Sequence, residues 1–198
     1  MSNTNSLLEF DNLILKKHGA LDVIKKTWSE RAKIWKNRTL SIPYYDLEDR
    51  AGVKLGEASM SFRPNKFAVN DASGNEVLHI GSKVRVMIGF WESTFYSPSG
   101  EELGTIHKKL VTFFGKEEFW VEKDGVEFMR IYVDSSERNY KMQVRGFQVA
   151  SAYKHIRAFR PEQLEISIIG GVDRRVVIGA IIVIEFLNAT TRTSSSGE

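Results

Sequence analysis

The chain has 198 residues, 42% hydrophobic and 27% charged, which is enough to bury one substantial core and excludes a disordered or fibrous polypeptide. It contains no cysteine, so disulfides, thiolate metal sites, a cysteine nucleophile and palmitoylation are all excluded, and a reducing, cytoplasmic setting is expected. Net charge is only +3, yet Lys16 to Arg38 holds eight Lys/Arg against two acids, leaving that segment at +6 and the remainder at −3. Such asymmetry points to an anionic partner.

In chain order, Met1 to Ser6 is polar and shows neither the basic nor the apolar region of a signal peptide. Leu7 to Lys17 reads as a strand. Residues 21–37 read as an amphipathic helix. At 100° per residue, Leu21, Val23, Ile24, Trp28, Ala32, Ile34 and Trp35 share one half of the wheel, while Lys25, Lys26, Lys33 and Lys36 fall on the other.

From residue 39 the pattern changes to short β-branched and aromatic runs separated by turn signals. Four segments are alike: Tyr44 to Gly52, Phe67 to Gly74, Phe95 to Gly100 and Trp120 to Gly125. Each is a strand, a polar turn and a glycine, and each is followed by a second apolar run. The four glycines lie 22, 26 and 25 residues apart, the spacing of one hairpin plus a connection. Asp, Asn and Ser bond their own turn backbone. Asp124-Gly125 suits a two-residue type I′ turn.

Tyr140 to Val144, the turn Arg145-Gly146, then Phe147 and Val149 continue the style. Ala152 to Arg157 and Gln163 to Ile169 read as two more strands. About ten strands in 130 residues would leave exposed edges in an open sheet, so a closed barrel or a sandwich is expected. Val176 to Leu187 is apolar at nearly every position, with Gly179 and Glu185 inside it, and falls short of the roughly 20 residues of a membrane span. Periodicity does not separate helix from central strand here. Asp173 suits a helix N-cap and Asn188 a helix end, while the Val/Ile content favours a strand. Residues 189–198 are expected to form a disordered tail after a single domain, 1–188.

Residues 40 to 188 resemble the tubby C-terminal-like superfamily, specifically its LURP-one-related members, with phospholipid scramblases as more distant relatives. Phe67-Ala68-Val69-Asn70-Asp71-Ala72-Ser73-Gly74-Asn75-Glu76-Val77-Leu78 looks like the family's V-x-D-x-x-G hairpin. Phe95 to Lys109 is similar to the hairpin after it, and Asp173-Arg174-Arg175 with Val176 to Glu185 is similar to its C-terminal element. The resemblance implies a mainly β (α+β) fold: a closed antiparallel barrel of about twelve strands threaded by a hydrophobic C-terminal helix. That implication selects a helix for Val176 to Leu187, because a helix inside a barrel satisfies its own backbone hydrogen bonds. There is no Pro-rich leader or cysteine cluster of the scramblase kind. The basic helical stretch at residues 18 to 38 is not placed by the motifs that carry this resemblance.

No sequence motif nominates a catalytic residue: GxSxG, GxxxxGK[ST] and strand-linked GxGxxG are all absent. His18, His79, His107 and His155 lack ligand spacing, so no metal site and no cofactor are expected. Glu101-Glu102 and Glu117-Glu118 read as solvated turn charge. The function expected is therefore non-enzymatic, with an anionic phospholipid or membrane surface as the possible ligand. Its contacts would be Trp28 and Trp35 at headgroup level, Lys25, Lys26, Lys33 and Lys36 near lipid phosphates, and a second patch of Lys108, Lys109 and Lys116. The competing reading has the helix's apolar face packed over the barrel with its lysines simply solvated, in a structural or protein-interaction module. Nucleic acid, which Phe113, Phe114 and Lys116 could stack and pair, is disfavoured by the mild pI near 9.0.

Overall fold

The structure is a computed structural model that describes residues 7–18, 41–61, 66–85, 90–108, 117–156 and 162–195. Twelve strands follow a 3₁₀ turn at Leu7–Glu9: β1 (Asn12–Lys17), β2 (Ser41–Glu48), β3 (Lys54–Ser61), β4 (Lys66–Asp71), β5 (Glu76–Arg85), β6 (Phe90–Tyr96), β7 (Glu102–Lys108), β8 (Glu117–Lys123), β9 (Val126–Val133), β10 (Asn139–Val144), β11 (Phe147–His155) and β12 (Gln163–Ile168). Helix α1 (Arg174–Ser195) follows. Each strand pairs antiparallel with its sequence neighbours, and β1 pairs with both β12 and β2, so the sheet closes into a barrel. Closure removes the edges that an open sheet would expose.

Alternation decides which side chains face inward. On β12, Leu164, Ile166 and Ile168 are buried between half-buried neighbours; on β9, Met129, Ile131 and Val133 are buried, with exposed Arg130 and half-buried Tyr132 between them. Into this lumen runs α1, whose Val176, Val177, Ile178, Ala180, Ile181, Ile182, Val183 and Ile184 are all buried. Burial on every side explains why the segment shows no periodicity in sequence. Asp173 caps it as expected. Its carbonyl accepts from the Val176 amide at 3.1 Å and its Oδ1 from the Arg175 amide at 2.9 Å. Burial works against the Asp173 charge, but the Arg175 guanidinium and amide outweigh it and hold this carboxyl below its usual value.

Gly179 is where α1 comes closest to the wall. A Cβ added there would lie 2.9 Å from Phe95 Cδ1 and 3.1 Å from Leu78 Cδ2, and Phe95 is fully buried. Gly179→Ala is expected to destabilise. Overpacking of about 1–3 kcal/mol exceeds the roughly 1 kcal/mol that alanine gains over glycine within a helix. A lower urea midpoint with an unchanged slope is the expected readout.

The repeated hairpin has a common local geometry. Gly52, Gly74 and Gly100 each donate to the carbonyl three residues back, on Asp49, Asp71 and Ser97, at 3.0, 3.0 and 2.9 Å. The side chain of that same residue accepts a further amide: Val53 N at 2.8 Å, Asn75 N at 2.9 Å and Glu101 N at 3.1 Å. Asp124-Gly125 has φ values of 55° and 75°, and Arg145-Gly146 has 50° and 82°, the pair of positive angles that a type I′ turn requires.

Asp134, between β9 and β10, builds a related loop that went unread in the sequence. Its carboxylate accepts from the Arg138 amide at 2.9 Å, the Asn139 amide at 3.2 Å and the Ser136 hydroxyl at 2.9 Å. Some burial opposes the charge, but the Asn139 side chain and these amides outweigh it and hold the carboxyl down at about 2. Because the folded-state value is depressed, the stabilisation is present above the ordinary carboxylate value of 3.8 and is lost as pH falls toward 2. The stability gap between the native chain and Asp134→Ala is therefore expected to be constant at neutral pH and to close between about pH 4 and 2. Thermal denaturation across that range measures it.

The structure redraws four boundaries. Leu7 to Lys17 is not one strand: Leu7 turns into the core and is fully buried, and only Asn12–Lys17 pairs. Ala152 to Arg157 is not a separate strand. Residues 152–155 are the second half of β11, whose Ala150 and Ala152 are small inward residues that interrupt the apolar alternation, and Arg157 lies outside the described residues. The barrel has twelve strands, the number the resemblance implied, and eleven of them lie in residues 41–168, where the runs read as about ten. Asn188 does not end α1; it is buried inside it, and the helix backbone continues to Ser195, into the expected tail. The helix expected at 21–37 lies outside the described residues.

Candidate functional site

The alternation of hairpins and connections gives the barrel two unlike ends. At one, β2–β3, β4–β5, β6–β7, β8–β9 and β10–β11 are joined by short turns, and the segment 169–173 leads β12 into α1. At the other end, Asp134 to Arg138 makes a short turn, and the remaining strand ends are joined by residues 19–40, 62–65, 86–89, 109–116 and 157–161. Those five segments contain eleven Lys/Arg, two acids and six aromatic residues, a net +9 in a chain of +3.

Of the expected lipid contacts, Lys108 alone is among the described residues. It ends β7, where its Nζ pairs with Glu117 Oε1 at 2.5 Å and sits 5.5 Å from the Phe119 ring centroid. Lys108 is thus held by the barrel itself. Lys25, Lys26, Lys33, Lys36, Trp28, Trp35, Lys109 and Lys116 lie outside the described residues. The strand ends that flank them, Lys17 and Ser41 for the first six and Lys108 and Glu117 for the last two, belong to this one end of the barrel. Exposed Tyr153 and Ile156, at the close of β11, belong to it too.

Beneath this end lies a polar cluster that sequence reasoning missed. Glu185 of α1 and Lys154 of β11 are both 2% exposed. The Lys154 ammonium donates to Glu185 Oε2 at 2.6 Å and lies 3.4 Å from Glu162 Oε2, which in turn is 3.6 Å from Lys17 Nζ. The Tyr140 hydroxyl donates to Glu185 Oε1. Burial, then the adjacent Glu185 charge, pushes the Tyr140 phenol far above its usual value, so it stays a proton donor. The one sequence signal was a lone glutamate within a dozen apolar residues. Its partners, 31 and 45 residues upstream, carried no signal.

All four histidines sit beside a carboxylate: His18 by Asp46 at 3.1 Å, His79 by Glu76 at 3.9 Å, His107 by Glu122 at 3.4 Å and His155 by Glu165 at 3.6 Å. His107 lies one residue from the end of β7. It is half-buried and stacked on Trp120, with ring centroids 5.3 Å apart and planes 16° from parallel. Among the described residues no group of three or more His, Asp or Glu is arranged to hold a metal ion. Among them, too, no helix is long and apolar enough to cross a membrane.

Comparison with solved structures finds the same fold in the X-ray structure of a protein from Arabidopsis thaliana. The TM-score is 0.54 at 13% identity, covering 89% of this chain and 91% of that one. No curated protein matches this sequence. The LURP-one-related family matches residues 27–185, spanning eleven of the twelve strands and α1 as far as the buried glutamate. This chain belongs to the LURP-one-related family.

Proposed function

We propose that this protein is a non-enzymatic barrel that docks on anionic phospholipid surfaces through the end bearing the longer connections. One observation supports the reading above the others: the strand ends joined by the five connecting segments, which carry net +9 and six aromatic residues in sequence, all belong to the same end of a closed barrel. Clustered cations near a membrane surface each contribute about 1 kcal/mol toward anionic lipid. Tryptophan and phenylalanine favour the headgroup boundary. Lys25, Lys26, Lys33 and Lys36 supply charge in this reading, Trp28 and Trp35 the interfacial rings, and Lys109 and Lys116 a second pair. Lys108 has a lesser part because Glu117 already neutralises it.

Flotation with vesicles of phosphatidylserine, of a phosphoinositide in phosphatidylcholine, and of phosphatidylcholine alone tests the proposal. Binding to the two anionic compositions at low salt, and release as salt rises, is the expected result. Equal recovery on neutral vesicles, or none on any, would end it. A second reading, that of a protein-interaction module, is favoured by the opposite end of the barrel. There Val53, Val126, Phe147 and Ile169 are 54%, 66%, 78% and 66% exposed.

A further inference from the structure

The barrel wall is not hydrogen-bonded along its full height. The β9–β10 ladder begins at Tyr140↔Val133, reaches Gln143↔Arg130 and stops. Strand β9 nevertheless continues to Val126, bonded over Val126–Met129 to β8 alone. On the other side, the β10–β11 ladder carries a register shift between Met142 and Gln143, level with the point where the β9–β10 ladder stops. The two hairpins therefore splay at the short-turn end. The opening is a cleft of about 690 Å³ whose lining includes Val126, Phe128, Arg130, Val144 and Arg145.

Three features of this cleft suit an extended chain. Its floor is a stretch of strand with one hydrogen-bonding side unused, the arrangement that lets a peptide add as a further strand. Its lining is apolar in part: Val126, Phe128 and Val144 stand among Glu127, Arg130 and Gln143, and exposed Phe147 follows the Arg145-Gly146 turn that forms one wall. Ile169, bonded to the Val149 carbonyl at 2.8 Å, lies close by. Its charge is positive at one point. Arg130 is occupied by Glu127 at 2.8 Å and Glu118 at 3.4 Å. Arg145 lines the cleft and has no side-chain hydrogen bond or ion pair among the described residues.

We infer that this cleft is a docking site for an extended segment of a partner protein in which acidic and aliphatic residues alternate. The segment pairs with the β9 edge at Val126–Met129, sets an aliphatic side chain against Phe128 and Val144, and places a carboxylate on Arg145. Alternation is what the pleat demands, since successive side chains of an added strand face opposite ways. The site lies at the barrel end opposite the lipid-docking one, and its failure would leave that reading untouched.

The probes are an acetylated alternating Asp/Val hexapeptide and its Lys/Val counterpart, titrated into the full chain while backbone amides are followed by NMR. The acidic peptide is expected to shift and slow the exchange of the β9 amides at Val126–Met129, along with shifts at Val144 to Gly146. Arg145→Glu, an exposed turn substitution, is expected to weaken the acidic peptide about tenfold, the loss of one charge-assisted contact, and to favour the Lys/Val peptide instead. Unchanged amides at millimolar peptide, equal response to both peptides, or protection confined to another face would each overturn the inference.

Discussion

Glu185→Ala is expected to lower the unfolding free energy by about 3–5 kcal/mol, the cost of leaving a buried charge without its partner. Lys154 is 2% exposed and would keep only Glu162, at 3.4 Å, while the Tyr140 hydroxyl would lose its carboxylate acceptor and keep only the Glu137 carbonyl, at 3.3 Å. Against a total stability of about 5–15 kcal/mol for an ordinary domain, that loss brings the chain close to unfolding at 25 °C. The cost belongs to the broken pair rather than to the missing helix contacts. The triple replacement Tyr140→Phe, Lys154→Met, Glu185→Leu removes every member and keeps volume, and it is expected to recover most of the loss or to exceed the native chain. Urea denaturation of the single and the triple variant separates the two effects. A single Glu185→Ala loss below about 1 kcal/mol would place the pair in the class of solvated ion pairs. The cluster's position suggests what the pair achieves. An apolar helix in an apolar lumen has little to fix its axial register, whereas one glutamate bonded to β10 and β11 sets it.

That cluster also marks the limit of what could be read beforehand. Hairpin turns were legible because their chemistry is local: Asp71 bonds Ser73 and Asn75 within four residues, and the composition announces it. Strand number and the need to remove edges narrowed the sheet to a closed barrel or a sandwich, and the likeness to a family chose the barrel. The helical state of Val176 to Leu187 was not decidable from periodicity, since burial on all sides erases the pattern; the likeness to a family decided it. Lys154 resembles any strand lysine in sequence, and only the parity of β11, with Ala150 and Ala152 inward, turns it toward the lumen. The cleft between the splayed hairpins had no compositional signal, because it depends on where one ladder stops and where one bulge falls. Long-range register is set by the packing of all twelve strands together, and no local window contains it.

Neutralising Lys25, Lys26, Lys33 and Lys36 together to alanine is expected to reduce partition onto phosphatidylserine vesicles by about a thousandfold, from about 1 kcal/mol for each lysine near the surface. Lys108→Ala should change it by less than a quarter of that logarithm, because the Lys108 ammonium is held on Glu117 at 2.5 Å and makes no contact with a lipid phosphate in this reading. The contrast separates lipid docking from a general dependence on net charge, since a single substitution scaled by charge alone would give a quarter of the logarithmic effect. Salt provides the independent control. A surface attraction acting over a Debye length of about 8 Å at physiological ionic strength weakens steeply as salt rises. The four-alanine variant, with less charge to screen, should show a flatter salt dependence than the native chain. Equal salt slopes for the two proteins would move the attraction off residues 21–37. The aromatic and basic residues of 109–116 and 157–161, at the same barrel end, would then be the next set to replace.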